Sequence, residues 1–95
     1  MKAARLHFPG THPAFAGHFP GTPMVPGALL LAEALAALGA ASAGLEIASA
    51  KFLRPVGPDT IVEAQCEDTG PGTQRLELRA GGELVATAML RLAPA

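Results

Sequence analysis

The sequence has few of the residues on which nucleic-acid binding and disulfide bonding depend. It contains no Trp and no Tyr, and its seven Lys and Arg residues are offset by eight Asp and Glu, for a formal net charge of -1. Nucleic-acid binding requires phosphate-neutralising charge and often stacking rings, so we expect no such partner. The single cysteine, Cys66, excludes an internal disulfide and a cysteine-based zinc site.

Signals for export and membrane insertion are also missing. Lys2 and Arg5 are followed by Leu-His-Phe-Pro-Gly instead of an apolar run. The longest apolar stretch, Ala28 to Leu45, is interrupted by Glu33 and is mostly Ala and Gly, which makes it too short and too weakly hydrophobic for a membrane span. Together with the single cysteine, these absences predict a cytoplasmic protein without a membrane span.

Apolar side chains, by contrast, are abundant. Hydrophobic residues make up 49% of the 95 residues. A domain of this length buries only about 60% of the surface that its unfolded chain exposes, so it cannot hide such an excess alone. We therefore expect one domain, residues 1–95, that forms a homodimer or a higher oligomer.

The N-terminal half predicts a strand, a shaped loop and a helix. Residues 3–8 form a short strand that Pro9-Gly10 ends, and residues 9–27 contain five Pro and four Gly, too many for a regular element. Residues 28–43 have Ala or Leu at nearly every position, with Gly39 as the one weak position. A helix without a polar face is predicted to be buried on all sides.

After Gly44 the pattern changes to alternation and predicts four strands. They are LEIASAKFL (45–53), TIVEAQCE (60–67), TQRLELRA (73–80) and ELVATAMLRL (83–92). Leu76 and Leu78 should point inward and Arg75 outward, and Gly81-Gly82 suits a tight hairpin turn. Short connections favour antiparallel pairing, so an α+β domain is expected in which an antiparallel sheet curls around one buried helix.

Glu33 is the only Asp, Glu, Lys or Arg between Arg5 and Glu46, and it lies in the middle of the apolar helix. A carboxylate there loses hydration unless it is paired or solvated, and desolvation favours its neutral form. Two interpretations follow from the residues. Either this helix edge faces water or a subunit boundary, or the neutral acid serves as a general acid in catalysis.

All three histidines, His7, His12 and His18, precede the helix. Their segment offers no Cys, Asp or Glu to complete a metal site, so we expect no metal. No Ser or Cys has the sequence context of an activated nucleophile. An acid–base histidine near a carboxylic acid remains, together with the N–H groups at the start of the helix, which could hold a developing oxyanion.

The segment GHFPGTPMVPGALLLAEAL, residues 17–35, resembles the active-site segment of β-hydroxyacyl-acyl-carrier-protein dehydratases. The pattern of that family is Gly-His-Phe-Pro-Gly-x-Pro-x-x-Pro-Gly, followed by an apolar helix that carries an acid. All its fixed positions are present: Gly17, His18, Phe19, Pro20, Gly21, Pro23, Pro26 and Gly27. A second stretch, Lys51 to Val56, resembles the later strand of the family and the turn that leads to Asp59.

The sequence His-Phe-Pro-Gly occurs twice, beginning at His7 and at His18. Only the second copy precedes the Pro-x-x-Pro-Gly run and the helix, so the family resemblance rests on His18. The first copy is interpreted as the end of a strand whose sequence matches the second copy by chance.

The resemblance implies a hotdog fold and a homodimer with active sites at the subunit boundary. It implies that His18 removes the proton α to a thioester, that Glu33 as the carboxylic acid assists departure of the β-hydroxyl as water, and that the backbone N–H of Gly27 polarises the thioester carbonyl. It further implies that Gly21, Phe19 and Pro26 belong to the loop that binds the substrate. The implied partner is an acyl carrier protein bearing a 3-hydroxyacyl thioester, with no cofactor, since the pantetheine arm only delivers the acyl group.

One position departs from the family pattern. The family places its acid fourteen positions after the histidine, where this sequence has Ala32, and the amide that commonly follows is absent, with Ala36 and Ala37 nearby. Glu33 serves as the acid only if the helix enters one residue out of register. The first hypothesis is a dehydratase of fatty-acid or polyketide-type synthesis. The alternative is a non-catalytic hotdog subunit that binds acyl chains or pairs with an active homologue, and thioester hydrolysis on the same fold is disfavoured.

Overall fold

Five strands and one helix make up the described part of the chain, residues 2–12, 24–40 and 44–92 of a computed structural model. In chain order they are β1 (Lys2–Phe8), α1 (Gly27–Leu38), β2 (Leu45–Phe52), β3 (Thr60–Gly70), β4 (Thr73–Ala80) and β5 (Glu83–Leu92). Each of the predicted strands is present, and the predicted α+β class is confirmed. Strand β3 continues to Gly70, beyond the predicted end at Glu67.

The strands form one antiparallel sheet in the order β1-β3-β4-β5-β2, which puts β1 and β2 at its two edges. One row of paired residues crosses the whole sheet: Ala4, Ala64, Leu78, Ala86 and Phe52. Residues directly opposite one another on paired strands lie on the same face. Phe52 therefore lies on the same face of the sheet as Leu78, although it belongs to an edge strand.

The inner face of the sheet carries the core. Leu76, Leu78 and Leu90 are fully buried. Arg75, which precedes Leu76 on β4, is exposed, as the alternation predicted. No charged or polar side chain is buried among the described residues. Stability therefore comes from apolar packing and the sheet's hydrogen bonds, without a buried ion pair that would need compensation.

Helix α1 packs across β1 and β3, at one side of the sheet. Its buried side chains belong to the same hydrophobic cluster as the inner face: Leu30, Leu31, Ala34 and Leu38. These positions are spaced so that they share one stripe of the helix. No helix in the described part of the chain is long and apolar enough to cross a membrane.

The prediction of a helix buried on all sides is wrong for the single chain. Its outward positions are exposed: Ala28, Ala32, Glu33, Ala36 and Ala37. The sheet contacts only one stripe of the helix. The other faces of α1 are apolar in composition but have no part of the sheet packed against them. Alanine is apolar but small, and the exposed face presents little hydrocarbon for the sheet to cover.

The helix is also shorter than predicted. It ends at Leu38 because Gly39 adopts a left-handed conformation with φ 70°. Gly39 N–H donates to Ala36 O at 3.1 Å, and Ala40 N–H donates to Leu35 O at 2.9 Å, the bonding pattern of a glycine C-cap. Gly39 thus ends the helix, whereas the predicted helix contained it as a weak interior position. Residues 41–43 of the predicted helix lie outside the described residues.

The β4–β5 connection confirms the predicted hairpin. Gly81 and Gly82 both have positive φ, 59° and 82°. A two-residue turn with two positive φ angles matches the twist of antiparallel strands, and glycine adopts it without a steric penalty.

Candidate active site

A cavity of about 370 Å³ opens at the N-terminus of helix α1. It is lined by Met24, Val25, Gly27, Ala28, Leu30, Phe52, Arg54, Pro55 and Val56. The first five residues come from the helix start, and the other four come from the end of β2 and the chain that follows it. The two stretches that carried the family resemblance therefore meet at one cavity, although they are distant in sequence.

A backbone hydrogen bond fixes the distance between these two stretches. Val25 N–H donates to Val56 O at 2.7 Å, and both side chains are buried. Pro26 follows in an extended conformation with φ -57° and ψ 138°, which is the N-cap position of α1. Proline has this φ in any context, so the turn into the helix requires little additional ordering.

Gly27 begins the helix directly under the ring of Phe52. A Cβ atom at Gly27 would lie 2.8 Å from Cζ and 2.9 Å from Cε1 of Phe52, closer than carbon atoms approach without strain. The ring therefore lies directly against Gly27, and any larger residue at this position would require the ring to move. The N–H groups in the first turn of a helix have no partner within the helix, and they lie at its positive end. These donors can hold a carbonyl oxygen that gains negative charge.

Arg54 brings a positive charge to the same cavity. Its Nε lies 3.2 Å from Oε2 of Glu83, and both side chains are more than half exposed. Arg54 N–H also donates to Val85 O at 3.2 Å, which anchors its backbone on β5. The backbone of Arg54 is therefore anchored, while its guanidinium pairs with an exposed carboxylate. This arrangement leaves the guanidinium available to an anionic group on a ligand.

The structure brings some of the predicted site residues together and leaves another apart. Pro26 and Gly27 stand at the helix start beside the cavity. Glu33 lies six residues further along α1, about 9 Å along the helix axis, on the exposed face and outside the cavity lining. The predicted residues His18, Phe19 and Gly21 lie outside the described residues.

Ala32 and Glu33 are neighbours on the exposed arc of α1. Both are exposed, and consecutive helical positions differ by about 100° in direction. The carboxyl of Glu33 is in contact with solvent in the single chain. The sequence predicted that the Glu33 carboxylate loses hydration in an apolar helix. Within one chain it does not, because the sheet does not cover this face of α1.

The first His-Phe-Pro-Gly copy is the end of β1, as predicted. His7 pairs with Ile61 and Phe8 with Thr60, and Phe8 is buried in the core. The ring of Phe8 contacts the ring of His12 edge to face at 5.5 Å between centroids. His7 itself is exposed, with Nε2 3.9 Å from Oδ1 of Asp59.

Cys66 is buried on β3 and is not part of the cavity. Its Sγ donates to Oε1 of Gln74 at 2.8 Å. Burial raises the pKa of the thiol, and the nearby Asp68 carboxylate adds to the rise. A thiol with a raised pKa is a poor nucleophile, so Cys66 has a packing role.

Two residues that line the cavity, Phe52 and Arg54, were not among the predicted site residues. In the sequence they are only part of the stretch from Lys51 to Val56 that resembles the family. Phe52 pairs with the buried Ala86, and this pairing, together with a glycine at the helix start, indicates that the ring packs on the helix terminus. That signal requires the strand order of the sheet and cannot be read from the sequence.

Solved structures share this arrangement of helix and sheet. The dehydratase heterocomplex ApeI:P from Xenorhabdus doucetiae superposes with a TM-score of 0.76 at 19% identity, over 97% of this chain and 86% of that one. A protein from Erwinia carotovora superposes with a TM-score of 0.77 at 20% identity, over 97% of this chain and 82% of that one. At these identities the likeness concerns the fold alone. The architecture is the predicted hotdog fold, one helix against a curled antiparallel sheet.

Sequence comparison adds the family. The family model described as ApeI-like, ApeI dehydratase, matches residues 2–88. The chain belongs to this family of dehydratase-like hotdog proteins, which confirms the resemblance inferred from residues 17–35.

Curated relatives agree over part of their length. The 3-hydroxyacyl-acyl-carrier-protein dehydratase FabZ of Syntrophotalea carbinolica is 38% identical over 68 residues, which cover 58% of this chain and 46% of that protein. The FabZ protein of Anaeromyxobacter sp. is 40% identical over 70 residues, covering 58% of this chain and 44% of that protein. The chain thus spans about half the length of the curated relatives it matches.

Replacing Gly27 with Ala tests the contact with Phe52. The new methyl group must displace the ring, and overpacking of this kind costs about 1–3 kcal/mol of unfolding free energy. The ring is 51% exposed and can swing away, so the variant should fold with a lower thermal midpoint.

The double variant Gly27→Ala with Phe52→Leu is the matched control. A smaller side chain at position 52 makes room for the methyl group, so the double variant should recover most of the stability lost by Gly27→Ala. If the double variant instead lost as much stability as the two single variants together, the packing described for the helix start would be contradicted.

Proposed function

We propose that the protein removes water from 3-hydroxyacyl thioesters carried by an acyl carrier protein, in fatty-acid or polyketide-type synthesis. One observation carries the proposal: the two segments that resemble the dehydratase family, the helix start and the chain after β2, line one cavity. Its volume lies within the range of about 300–1,000 Å³ typical of small-molecule sites. The FabZ relatives act on 3-hydroxyacyl carrier-protein substrates by name, and the same substrate class is proposed here.

The start of helix α1 would bind the thioester carbonyl. The Gly27 N–H lies at the positive end of the helix dipole, in a cavity whose remaining lining is mostly apolar. Negative charge that develops on the carbonyl oxygen is stabilised more strongly there than in water. Withdrawal of electrons by the carbonyl acidifies the α-carbon, which makes proton removal feasible.

In the proposed reaction His18 is the base and Glu33 the acid. An imidazole nitrogen of His18 takes the proton from the α-carbon, and the electron pair of that C–H bond forms the Cα=Cβ double bond. The bond between Cβ and the hydroxyl oxygen breaks, and the carboxyl of Glu33 gives its proton to the departing hydroxyl. The products are a 2-enoyl thioester and water, with the thioester bond intact. No cofactor is needed.

The exposed position of Glu33 supports a site shared between two copies. Glu33 lies outside the cavity lining of its own chain, on a helix face that its own sheet leaves uncovered. A second chain placed against this face would shield the carboxyl from bulk water and enclose it in a site shared by the two copies. A protonated carboxyl is the form that a general acid requires.

Strand β2 is the proposed edge of the homodimer. Three apolar side chains at and after this strand are exposed, with exposed fractions of 38% for Ile47, 51% for Phe52 and 44% for Leu53. At the other edge, the inward residues Leu6 and Phe8 are buried under α1. A second copy paired along β2 would extend the sheet and cover the exposed apolar group. We also propose a cytoplasmic location, for which the ground is the single cysteine, which cannot form an internal disulfide.

His18→Ala should abolish dehydration and leave the fold intact, because general base catalysis contributes about 10²–10⁴-fold. The assay mixes the purified protein with a 3-hydroxyacyl carrier-protein thioester and follows the enoyl product by mass spectrometry. The same acyl group on coenzyme A shows whether the carrier is required.

His7→Ala is the matched control within the first His-Phe-Pro-Gly copy. Its imidazole is exposed at the end of β1, so its loss should lower activity far less. Equal loss in the two folded variants would contradict the assignment of the base to His18.

The acid is tested by moving the carboxyl along the helix. Glu33→Ala should remove most of the activity, by about 10²–10⁴-fold, because the leaving hydroxyl then departs without a proton. The double variant Ala32→Glu with Glu33→Ala should not restore it, since the carboxyl is rotated by about 100°.

An inactive natural chain combined with an active double variant would overturn the choice of Glu33. That outcome would favour the alternative of a non-catalytic hotdog subunit that binds acyl chains or pairs with an active homologue. The observation behind this alternative is Ala32 at the family's acid position.

The natural chain should sediment as a dimer or larger at micromolar concentration. Ile47→Asp places a charge in the exposed apolar group on β2 and should weaken association at least about tenfold, which is about 1.4 kcal/mol. Ile61→Asp is the control, since Ile61 is 49% exposed on β3 and lies opposite His7, away from β2. A stable monomer formed by the natural chain would contradict the dimer.

A further inference from the structure

The connection between β2 and β3, residues 53–59, is hydrogen-bonded to the chain on both sides of residues 13–23, the segment of the sequence that contains His18. On the C-terminal side of this segment, Val25 N–H donates to Val56 O at 2.7 Å. On the N-terminal side, Gly10 N–H donates to the carboxylate Oδ1 of Asp59 at 2.9 Å. Asp59 N–H also donates to Phe8 O at 2.7 Å. One short connection thus contacts the described residues that precede and follow the His18 segment.

Asp59 is the one member of this arrangement that acts through its side chain. It is also the only residue other than glycine with positive φ among the described residues, at 58°. A side chain in this left-handed region is strained, although Asp and Asn tolerate it best. Glycine would be the natural residue for such a turn if only the backbone mattered.

The contact at Gly10 is close and specific. A Cβ at Gly10 would lie 3.2 Å from the Oδ2 atom of Asp59 and 3.8 Å from Cβ of Pro58. The backbone of Gly10 therefore sits directly against the carboxylate, where a charge-assisted hydrogen bond is short and directional. This contact also gives a role to the first His-Phe-Pro-Gly copy, whose last residue is Gly10.

From these contacts we infer that Asp59 is a positioning residue for the reaction. It fixes the chain before the His18 segment by accepting the Gly10 N–H, while Val56 fixes the chain after that segment by accepting the Val25 N–H. The inference rests on the proposed function. A base must be held within a fraction of an ångström of the productive geometry, which explains why a strained aspartate occupies a glycine position.

Three replacements of Asp59 in the full-length chain separate positioning from folding. Asp59→Asn keeps an acceptor oxygen and tolerates positive φ. Asp59→Gly removes the acceptor and relieves the strain, whereas Asp59→Ala removes the acceptor and keeps the strain. Asp59→Gly should therefore be the more stable of the last two in thermal unfolding.

The kinetic readout is the split between kcat and KM for the 3-hydroxyacyl carrier-protein substrate. Asp59→Gly and Asp59→Ala should both lower kcat by about tenfold or more with little change in KM, and Asp59→Asn should restore kcat to within about twofold. Full activity in Asp59→Gly would overturn the inference, because it would mean that position 59 serves only the turn.

A second readout does not depend on activity. Amide hydrogen exchange at Gly10 should be faster in Asp59→Gly than in the natural chain or in Asp59→Asn, while exchange in β4 and β5 stays unchanged. Unchanged exchange at Gly10 would contradict the inference. Absence of dehydration by the natural chain, with the predicted exchange pattern, would instead contradict the proposed function.

Glu63→Ala is the matched control. It removes a different exposed carboxylate, which lies on β3, 3.8 Å from Arg5 on β1. It should leave kcat and exchange at Gly10 unchanged. A loss of kcat equal to that of Asp59→Ala would overturn the inference by showing that any weakening of the β1–β3 side is sufficient.

Discussion

The hydrogen bond from Val25 to Val56, with the ring of Phe52 on Gly27, determines where the helix begins relative to the sheet. Among the described residues, no side chain caps the N-terminus of helix α1, and its first turn has no acidic residue, so the helix's own residues do little to set its start. The bond to the β2–β3 connection and the packing under Phe52 replace a cap. The cavity and the helix N–H groups beside it depend on this junction.

The one-sided contact between helix and sheet has consequences for the rest of the molecule. The stripe of α1 that contacts β1 and β3 is buried, and the opposite face presents small alanine side chains and Glu33 to solvent. The larger apolar side chains exposed at and after β2 are Ile47, Phe52 and Leu53. The proposed association of copies along β2 would reduce that exposure.

Strand positions, the inward-facing residues of β4 and the glycine hairpin could be predicted because they depend on local rules. Alternation with a period of two identifies the buried face of a strand, and Gly81-Gly82 suits one turn type. The end of the helix was missed for a related reason, since Gly39 can be a weak interior position or a left-handed cap, and the difference lies in hydrogen bonds to Leu35 and Ala36. The burial of α1 was overestimated because composition shows how apolar a helix is but does not show how many of its faces contact other elements.

By itself the sequence determined the α+β class, the strands and the stretch of residues that identifies the dehydratase-like family. Only the tertiary structure decided that Phe52 covers Gly27, that Glu33 faces outward and that Asp59 accepts the N–H of Gly10. Each of these depends on which strand occupies which place in the sheet, and sequence periodicity carries no information about strand order. Contacts between distant segments are fixed when the sheet closes, so the geometry of the site is a property of the fold.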